Sequence, residues 1–125
     1  MSNPPVNTIP GAQTVAEDTA LTFSTANSNL ISVSDDVSTT LTVSITATNG
    51  RFSLFQTTGL TFSAGSNGSA AMTFSGTTTN INAALAGARY NGNLNFNGAG
   101  SVVIATTDQD TPALTDTDTI AVTVT

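Results

Sequence analysis

The chain has 125 residues and a mass of 12.6 kDa, the size of one domain that can bury its own core without a metal or a disulfide. Only 8% of its residues are charged, whereas globular proteins average ~25% charged residues. Eight acids against two arginines give a net charge of −6. The absence of His, Cys and Lys excludes imidazole, thiolate and Schiff-base chemistry and the usual zinc sites, and two isolated arginines cannot neutralise nucleic-acid phosphates.

The N-terminal segment, residues 1–11, is expected to be a linker. Its prolines, Pro4, Pro5 and Pro10, favour an extended and semi-rigid backbone. The segment has neither the basic region nor the apolar stretch of a secretory signal peptide, and no apolar run in the chain approaches the ~18 residues that span a membrane. Residues 12–125 are therefore predicted to form the folded domain.

Alternation of apolar and polar residues predicts strands along the rest of the chain, because successive side chains of a strand point to opposite faces. The clearest strand covers residues 40–48 and ends at Asn49-Gly50, a dipeptide typical of two-residue hairpins, with residues 51–55 as the expected partner strand. The apolar run 102–104 within residues 101–106 is typical of a central strand covered on both faces. Further strands are predicted at residues 12–16, 19–23, 30–34, 60–63, 70–74 and 119–125.

One segment has helical spacing instead. Ile81, Ala84 and Leu85 stand at i, i+3 and i+4, Thr79 or Asn80 precedes them as N-cap, and Gly87 follows them, which predicts a helix of at most two turns. Many short strands with one helix predict an all-β fold, a Greek-key β-sandwich of the immunoglobulin-like class with one short helix.

The acidic residues are concentrated in three places along the sequence, and residues 37–107 contain none. Because antiparallel strands alternate in direction, strand parity places six aspartates at one end of the sandwich and Glu17 with Asp18 at the other. Carboxylates ~5 Å apart repel by about 1 kcal/mol in water and by more when partly buried, so the six are expected to need a cation, and Ca²⁺ takes irregular sets of oxygen ligands. The alternative is that these aspartates serve only as turn residues. The six are Asp35, Asp36, Asp108, Asp110, Asp116 and Asp118.

Several short segments, taken together, resemble the cadherin-like and immunoglobulin-like tandem repeats of large bacterial surface adhesins of the repeats-in-toxin type. The resemblance implies a cadherin-like β-sandwich with calcium held between successive repeats. Asp35-Asp36 and the pair Asp108 and Asp110 are similar to the family's calcium motifs at one pole, and Glu17 corresponds to the glutamate that reaches calcium at the opposite pole. The segments are Pro5-Val6 and residues 15–19, 31–35, 41–43, 81–85, 95–98 and 114–120, with Asn49-Gly50 and Tyr90.

These features lead us to expect a non-enzymatic extracellular spacer or stalk repeat of a bacterial surface or secreted adhesin, rigidified by calcium between repeats. Its partners would be neighbouring repeats of the same polypeptide, and the isolated domain is expected to be a monomer. The alternative is an adhesion module that binds a glycan or protein through loops such as residues 57–59 or 63–69. A sugar platform built from phenylalanines is not expected, because such sites usually present Tyr or Trp, so core positions are predicted for Phe23, Phe52, Phe55, Phe62 and Phe74.

Overall fold

The fold is all-β with one short helix, as predicted. The computed structural model describes residues 4–35, 40–109 and 113–125. No helix among these residues is long and apolar enough to cross a membrane. The elements are β1 (Val6–Thr8), β2 (Gln13–Val15), β3 (Ala20–Phe23), β4 (Ser32–Ser34), β5 (Thr40–Thr48), β6 (Gly50–Ser53), β7 (Thr61–Gly65), β8 (Ala71–Thr77), α1 (Thr78–Leu85), β9 (Ala88–Gly92), β10 (Gly98–Thr107) and β11 (Thr115–Val124).

The strands form three sheets. A six-stranded sheet has the order β2-β11-β10-β5-β8-β7, a three-stranded sheet has the order β3-β9-β6, and β1 pairs with β4. Strand pairs are antiparallel except for β2 and β11, which run parallel. The six-stranded and three-stranded sheets face each other, since the Tyr90 hydroxyl of β9 donates a 2.7 Å hydrogen bond to the Thr48 carbonyl of β5.

The core lies between these layers and is built by alternate residues of the facing strands. Each of its side chains is at most 8% exposed, because the period of two along a strand sends every second residue to the same face. The largest fully buried side chains are Tyr90, Phe23, Phe52, Phe74, Ile31, Leu41, Ile45, Met72, Ile81, Leu85, Ile104 and Ile120.

The turn at Asn49-Gly50 is a crossover between sheets, and the predicted hairpin is wrong. Strand β5 pairs with β10 on one side and with β8 on the other, so it has no free edge for β6, which pairs with β9 in the facing sheet. Asn49 takes a left-handed φ of 57° and its side-chain amide donates to the Ala99 carbonyl at 3.0 Å. The chain does reverse sharply at this dipeptide. Because both edges of β5 are occupied, the next strand pairs in the facing sheet.

Helix α1 begins two or three residues before its predicted start, since its N-cap is Thr77 and not Thr79 or Asn80. The hydroxyl of Thr77, not that of Thr79, caps it by accepting a 3.1 Å hydrogen bond from the Asn80 amide. Within the helix, the Asn82 side chain accepts from the Val33 amide at 2.8 Å and donates to the Val33 carbonyl at 2.9 Å. The helix is thereby fixed to β4 by the same pair of bonds that a neighbouring strand would make.

Three apolar residues are more exposed than the sequence predicts. Val103 lies in the central strand β10, as expected, but it is half-buried on the outer face and not covered on both sides. Phe55 is 68% exposed, so its assignment to the core is wrong, and Phe62 is only partly buried. The core positions predicted for Phe23, Phe52 and Phe74 are confirmed, since all three side chains are fully buried.

Strand β1 lies inside the segment predicted as a linker. Its Val6 stands opposite Ser34 of β4, and Asn7 is only 8% exposed. The Asn7 side chain donates to the Ile104 and Asp116 carbonyls at 3.2 and 2.8 Å and accepts from the Thr106 hydroxyl at 2.6 Å. Part of the proline-rich segment therefore belongs to the folded domain.

Candidate functional site

The described aspartates of the predicted cluster lie toward one pole of the domain. Asp108 directly follows β10, and Asp116 of β11 stands opposite Thr106, the last residue but one of β10. Asp35 follows the β4 residue that pairs with Val6, next to the Asn7 that binds Asp116. Asp118 lies two residues further into β11. The other two predicted ligands, Asp36 and Asp110, lie outside the described residues.

Two of these carboxylates hold backbone amides. Asp108 is 2% exposed, its carboxylate accepts from the Leu114 amide at 2.9 Å, and its own amide donates to the Leu114 carbonyl at 3.0 Å. The Asp116 carboxylate accepts from the Asn7 amide at 2.8 Å. Asp108 thus fastens the connection between β10 and β11, and Asp116 fastens β1 to β11.

The described residues do not form a metal site. Across residues 4–35, 40–109 and 113–125, no three His, Cys, Asp or Glu side chains come together as ligands. Glu17 is exposed at the opposite pole, where its amide donates to the Thr125 carbonyl at 2.9 Å. Since Asp36 and Asp110 lie outside the described part of the chain, calcium binding at the acidic pole stays a prediction, which a calorimetric titration of the protein with calcium would check.

A pocket lies at the pole opposite to Asp108. Its volume is ≈ 250 Å³, and its lining combines a carboxylate, a guanidinium, an amide, a hydroxyl and an apolar side chain. The rim is exposed and the floor at Asn91 and Gly92 is half-buried. The lining residues are Asp18, Thr19, Arg51, Asn91, Gly92 and Leu94.

The three-stranded sheet carries both cations of the chain on its outer face. Arg51 stands opposite Asn91, and Arg89 lies two residues before Asn91 on the same strand. Phe52 and Tyr90, their neighbours in sequence, point into the core, so alternation sends both arginines outward. Neither guanidinium makes an ion pair or hydrogen bond with any residue that the structure describes. Sequence reasoning missed this site because it considered Arg51 and Arg89 separately and assigned the ligand-binding loops to residues 57–59 and 63–69.

Strands β2 and β11, which come first and last in the sequence among the strands of the six-stranded sheet, form its parallel pair. Strand β2 runs parallel to the end of β11, with Gln13 opposite Val122 and Val15 opposite Val124. Two backbone hydrogen bonds of 2.9 Å extend this pairing. The Thr125 amide donates to the Val15 carbonyl, and the Glu17 amide donates to the Thr125 carbonyl. The end of the chain is therefore held against its N-terminal part.

Comparison with known families identifies the domain. Residues 17–117 match the family described as Protein GAMETE EXPRESSED 2 domain, or GEX2. The chain belongs to the GEX2 domain family. None of the curated proteins matches its sequence significantly.

The match to the GEX2 domain corrects the expectation drawn from resemblance. The assignment to cadherin-like, immunoglobulin-like tandem repeats of bacterial surface adhesins is wrong, and the calcium ligands that the assignment implied lose that support. The physical reason is that the quoted segments are strand and turn patterns, such as alternating Thr and Val or an Asn-Gly reversal, which many unrelated β-proteins need.

The solved structures with a similar fold include the following one. It is a nucleoside hydrolase-related hypothetical protein from Saccharophagus degradans that is associated with carbohydrate metabolism, with a TM-score of 0.51 and 12% sequence identity. The match covers 99% of the GEX2 domain chain and 26% of the other chain. At this identity the likeness shows the fold alone.

Proposed function

We propose that this GEX2 domain is a non-enzymatic spacer of a secreted or surface-exposed protein, and that its partners are neighbouring domains of the same polypeptide. The proposal includes the Greek-key sandwich type for its facing sheets. The observation that carries the proposal is the position of the two ends of the described chain. Val6 lies near Asp116 at one pole, and Thr125 lies at the other, after the ten residues of β11.

The separation of the ends suits a module that transmits force along a polypeptide. Ten residues of strand at ~3.4 Å per residue extend about 30 Å. A polypeptide that continues from both ends enters at one pole and leaves at the other, which sets successive domains in line. An end-to-end arrangement also leaves the Thr-rich outer faces in solvent, where hydroxyls are hydrated without the help of charges.

The pairing of β2 with β11 determines how such a domain responds to tension. Because the two strands run parallel, tension draws the N-terminal end of β2 toward one pole and the C-terminal end of β11 toward the other. The strands are therefore pulled past each other along their length. Their hydrogen bonds lie across the direction of pull and must break together, whereas bonds between peeled strands break one at a time. The domain is therefore expected to unfold under tension only at high force.

Two substitutions at the exposed residue Glu17 test this proposal. Glu17→Pro removes the amide that donates to the Thr125 carbonyl, since proline has no N–H, whereas Glu17→Ala removes only the side chain. Single-molecule pulling through the two ends measures the unfolding force, which reports the unfolding rate under load. We expect a clearly lower force for Glu17→Pro and an unchanged force for Glu17→Ala. Equal forces for the proline and alanine variants would contradict the proposal that this strand pair resists the applied force.

A further inference from the structure

We infer that the pocket around Arg51 binds one sugar unit of a saccharide. This inference goes beyond the spacer role and stands independently of it. The pocket volume of ≈ 250 Å³ lies just below the ~300–1,000 Å³ of typical small-molecule sites, which suits a single ring better than an extended ligand.

The polar groups of the pocket match those of a sugar. Asp18 offers only acceptors, Arg51 offers only donors, and the Asn91 amide and Thr19 hydroxyl offer both. A ring bearing several hydroxyl groups, each a donor and an acceptor, satisfies all of them at once. Leu94 adds an apolar surface against which the C–H groups of a ring can pack.

The charges of the pocket favour a sugar over an acidic peptide. Arg51 makes no hydrogen bond or ion pair with a described residue, so its five N–H donors face the pocket or solvent. A peptide carboxylate placed on Arg51 would also face Asp18, in a chain of net charge −6, and like charges repel. A hydroxyl group instead donates to Asp18 while a second oxygen of the same ring accepts from Arg51.

Hydrogen bonds join the chain segments that carry the pocket residues. The Asp18 carboxylate accepts from the Asn95 amide at 2.9 Å, and the Asn93 amide donates to the Asn49 carbonyl at 2.9 Å. Asp18, Asn49 and Asn95 all take left-handed φ values, of 57°, 57° and 62°, a conformation that Asn and Asp tolerate better than other L residues. Three chain segments are thus joined at one place.

Leu94 is exposed because these contacts hold its turn outward. Its side chain is 81% exposed, more than that of any other large apolar residue among those described. The Phe96 amide donates to the Asn93 carbonyl at 2.9 Å and closes the turn that carries it. An apolar side chain beside convergent polar groups matches the composition of a ligand site.

Nuclear magnetic resonance titrations test the inference. The full chain, labelled with ¹⁵N, is titrated separately with glucose, galactose, mannose, N-acetylglucosamine, glucuronate and galacturonate, and with acetate and glutarate as ligands that carry only carboxylates. We expect saturable shifts of the amides of Thr19, Asn91 and Leu94 with at least one sugar. Neutral sugars should bind at least as tightly as the two uronates, because the Asp18 carboxylate repels a second carboxylate, and binding of the uronates alone would overturn the inference.

A matched pair of variants completes the test. Arg51→Met should weaken binding at least ~10-fold, because a charge-assisted hydrogen-bonding group is lost, whereas Arg89→Met, on the same face but outside the pocket, should leave it unchanged. The spectra also report whether each variant is folded, and Asn91→Ala serves as a second pocket variant. The inference is overturned if no sugar gives a saturable shift up to ~100 mM. A dissociation constant above that concentration would mean binding about 100-fold weaker than millimolar binding. It is also overturned if only acetate or glutarate binds, or if Arg51→Met and Asn91→Ala bind the sugar as well as the original chain does.

Discussion

At the scale of single residues, Tyr90 joins the two main sheets. Its side chain is fully buried, and its hydroxyl donates to the Thr48 carbonyl at 2.7 Å. Two glycines leave room for the ring: a Cβ at Gly50 would lie 2.7 Å from the ring carbon Cζ, and a Cβ at Gly100 would overlap the hydroxyl. The sequence does not predict that either glycine lies against Tyr90, because the close approach arises between strands that are far apart in the chain.

The contact between Gly100 and Tyr90 predicts a strong coupling between substitutions. Gly100→Ala should lower the free energy of unfolding by about 1–3 kcal/mol, the usual effect of overpacking, and Tyr90→Phe by about 1 kcal/mol through the lost hydrogen bond. The double variant should be more stable than the sum predicts, because the phenylalanine ring lacks the atom that the new Cβ meets. Urea unfolding followed by circular dichroism measures all three. Additive effects would show that Gly100 and Tyr90 do not touch.

The burial of Tyr90 also predicts a dependence of stability on alkaline pH. Desolvation raises the pKa of Tyr90 above its ordinary value of 10.0. Below about pH 10 the phenol is protonated in both the folded and the unfolded protein. Above that pH the unfolded chain loses the proton first, so the free energy of unfolding falls until the pH passes the raised pKa of the folded protein. Since the chain contains one Tyr and no Trp, ultraviolet absorbance follows this single ionisation. A Tyr90 that titrates at its ordinary pKa in the folded protein would contradict its burial.

At the scale of elements, the sequence predicts strands better than it predicts their partners. Residues 40–48 match β5 to the residue, because the alternation of apolar and polar side chains is set within the strand itself. Strand β1 escapes prediction since it has three residues and lies among prolines. The partner of β6 escapes it too, because that choice depends on β5 having both edges occupied.

The anchoring of β1 by Asn7 gives a prediction at this scale. Asn7→Ala leaves the Thr106 hydroxyl and the Ile104 carbonyl without the side chain that they bind. Unsatisfied buried groups cost about 1–3 kcal/mol each, so the free energy of unfolding should fall by at least that amount. Thr8→Ala, at an exposed position of the same strand, should change it by less than ~0.5 kcal/mol. Similar unfolding midpoints for the two variants would mean that β1 is not anchored through Asn7.

At the scale of the whole molecule, the placement of candidate sites follows from topology. Strand parity correctly puts Asp35 and Asp108 toward one pole and Glu17 at the other, since it needs only the direction of each strand. It does not predict that Asp108 and Asp116 accept hydrogen bonds from backbone amides, which depends on local loop geometry. It also gives no signal for the Arg51 pocket, whose walls come from three segments that meet only in the folded chain.

The direction dependence of mechanical unfolding tests the spacer role most directly. The chain has no cysteine, so pairs of cysteines can be introduced as attachment points at Pro4 and Thr125, which lie at opposite poles, or at Asn97 and Thr125, which lie at the same pole. Pulling through Pro4 and Thr125 slides β2 along β11, whereas pulling through Asn97 and Thr125 peels β11 from β10 one bond at a time. We expect a severalfold higher unfolding force for the first pair. Equal forces, or a lower force for the first pair, would contradict the account.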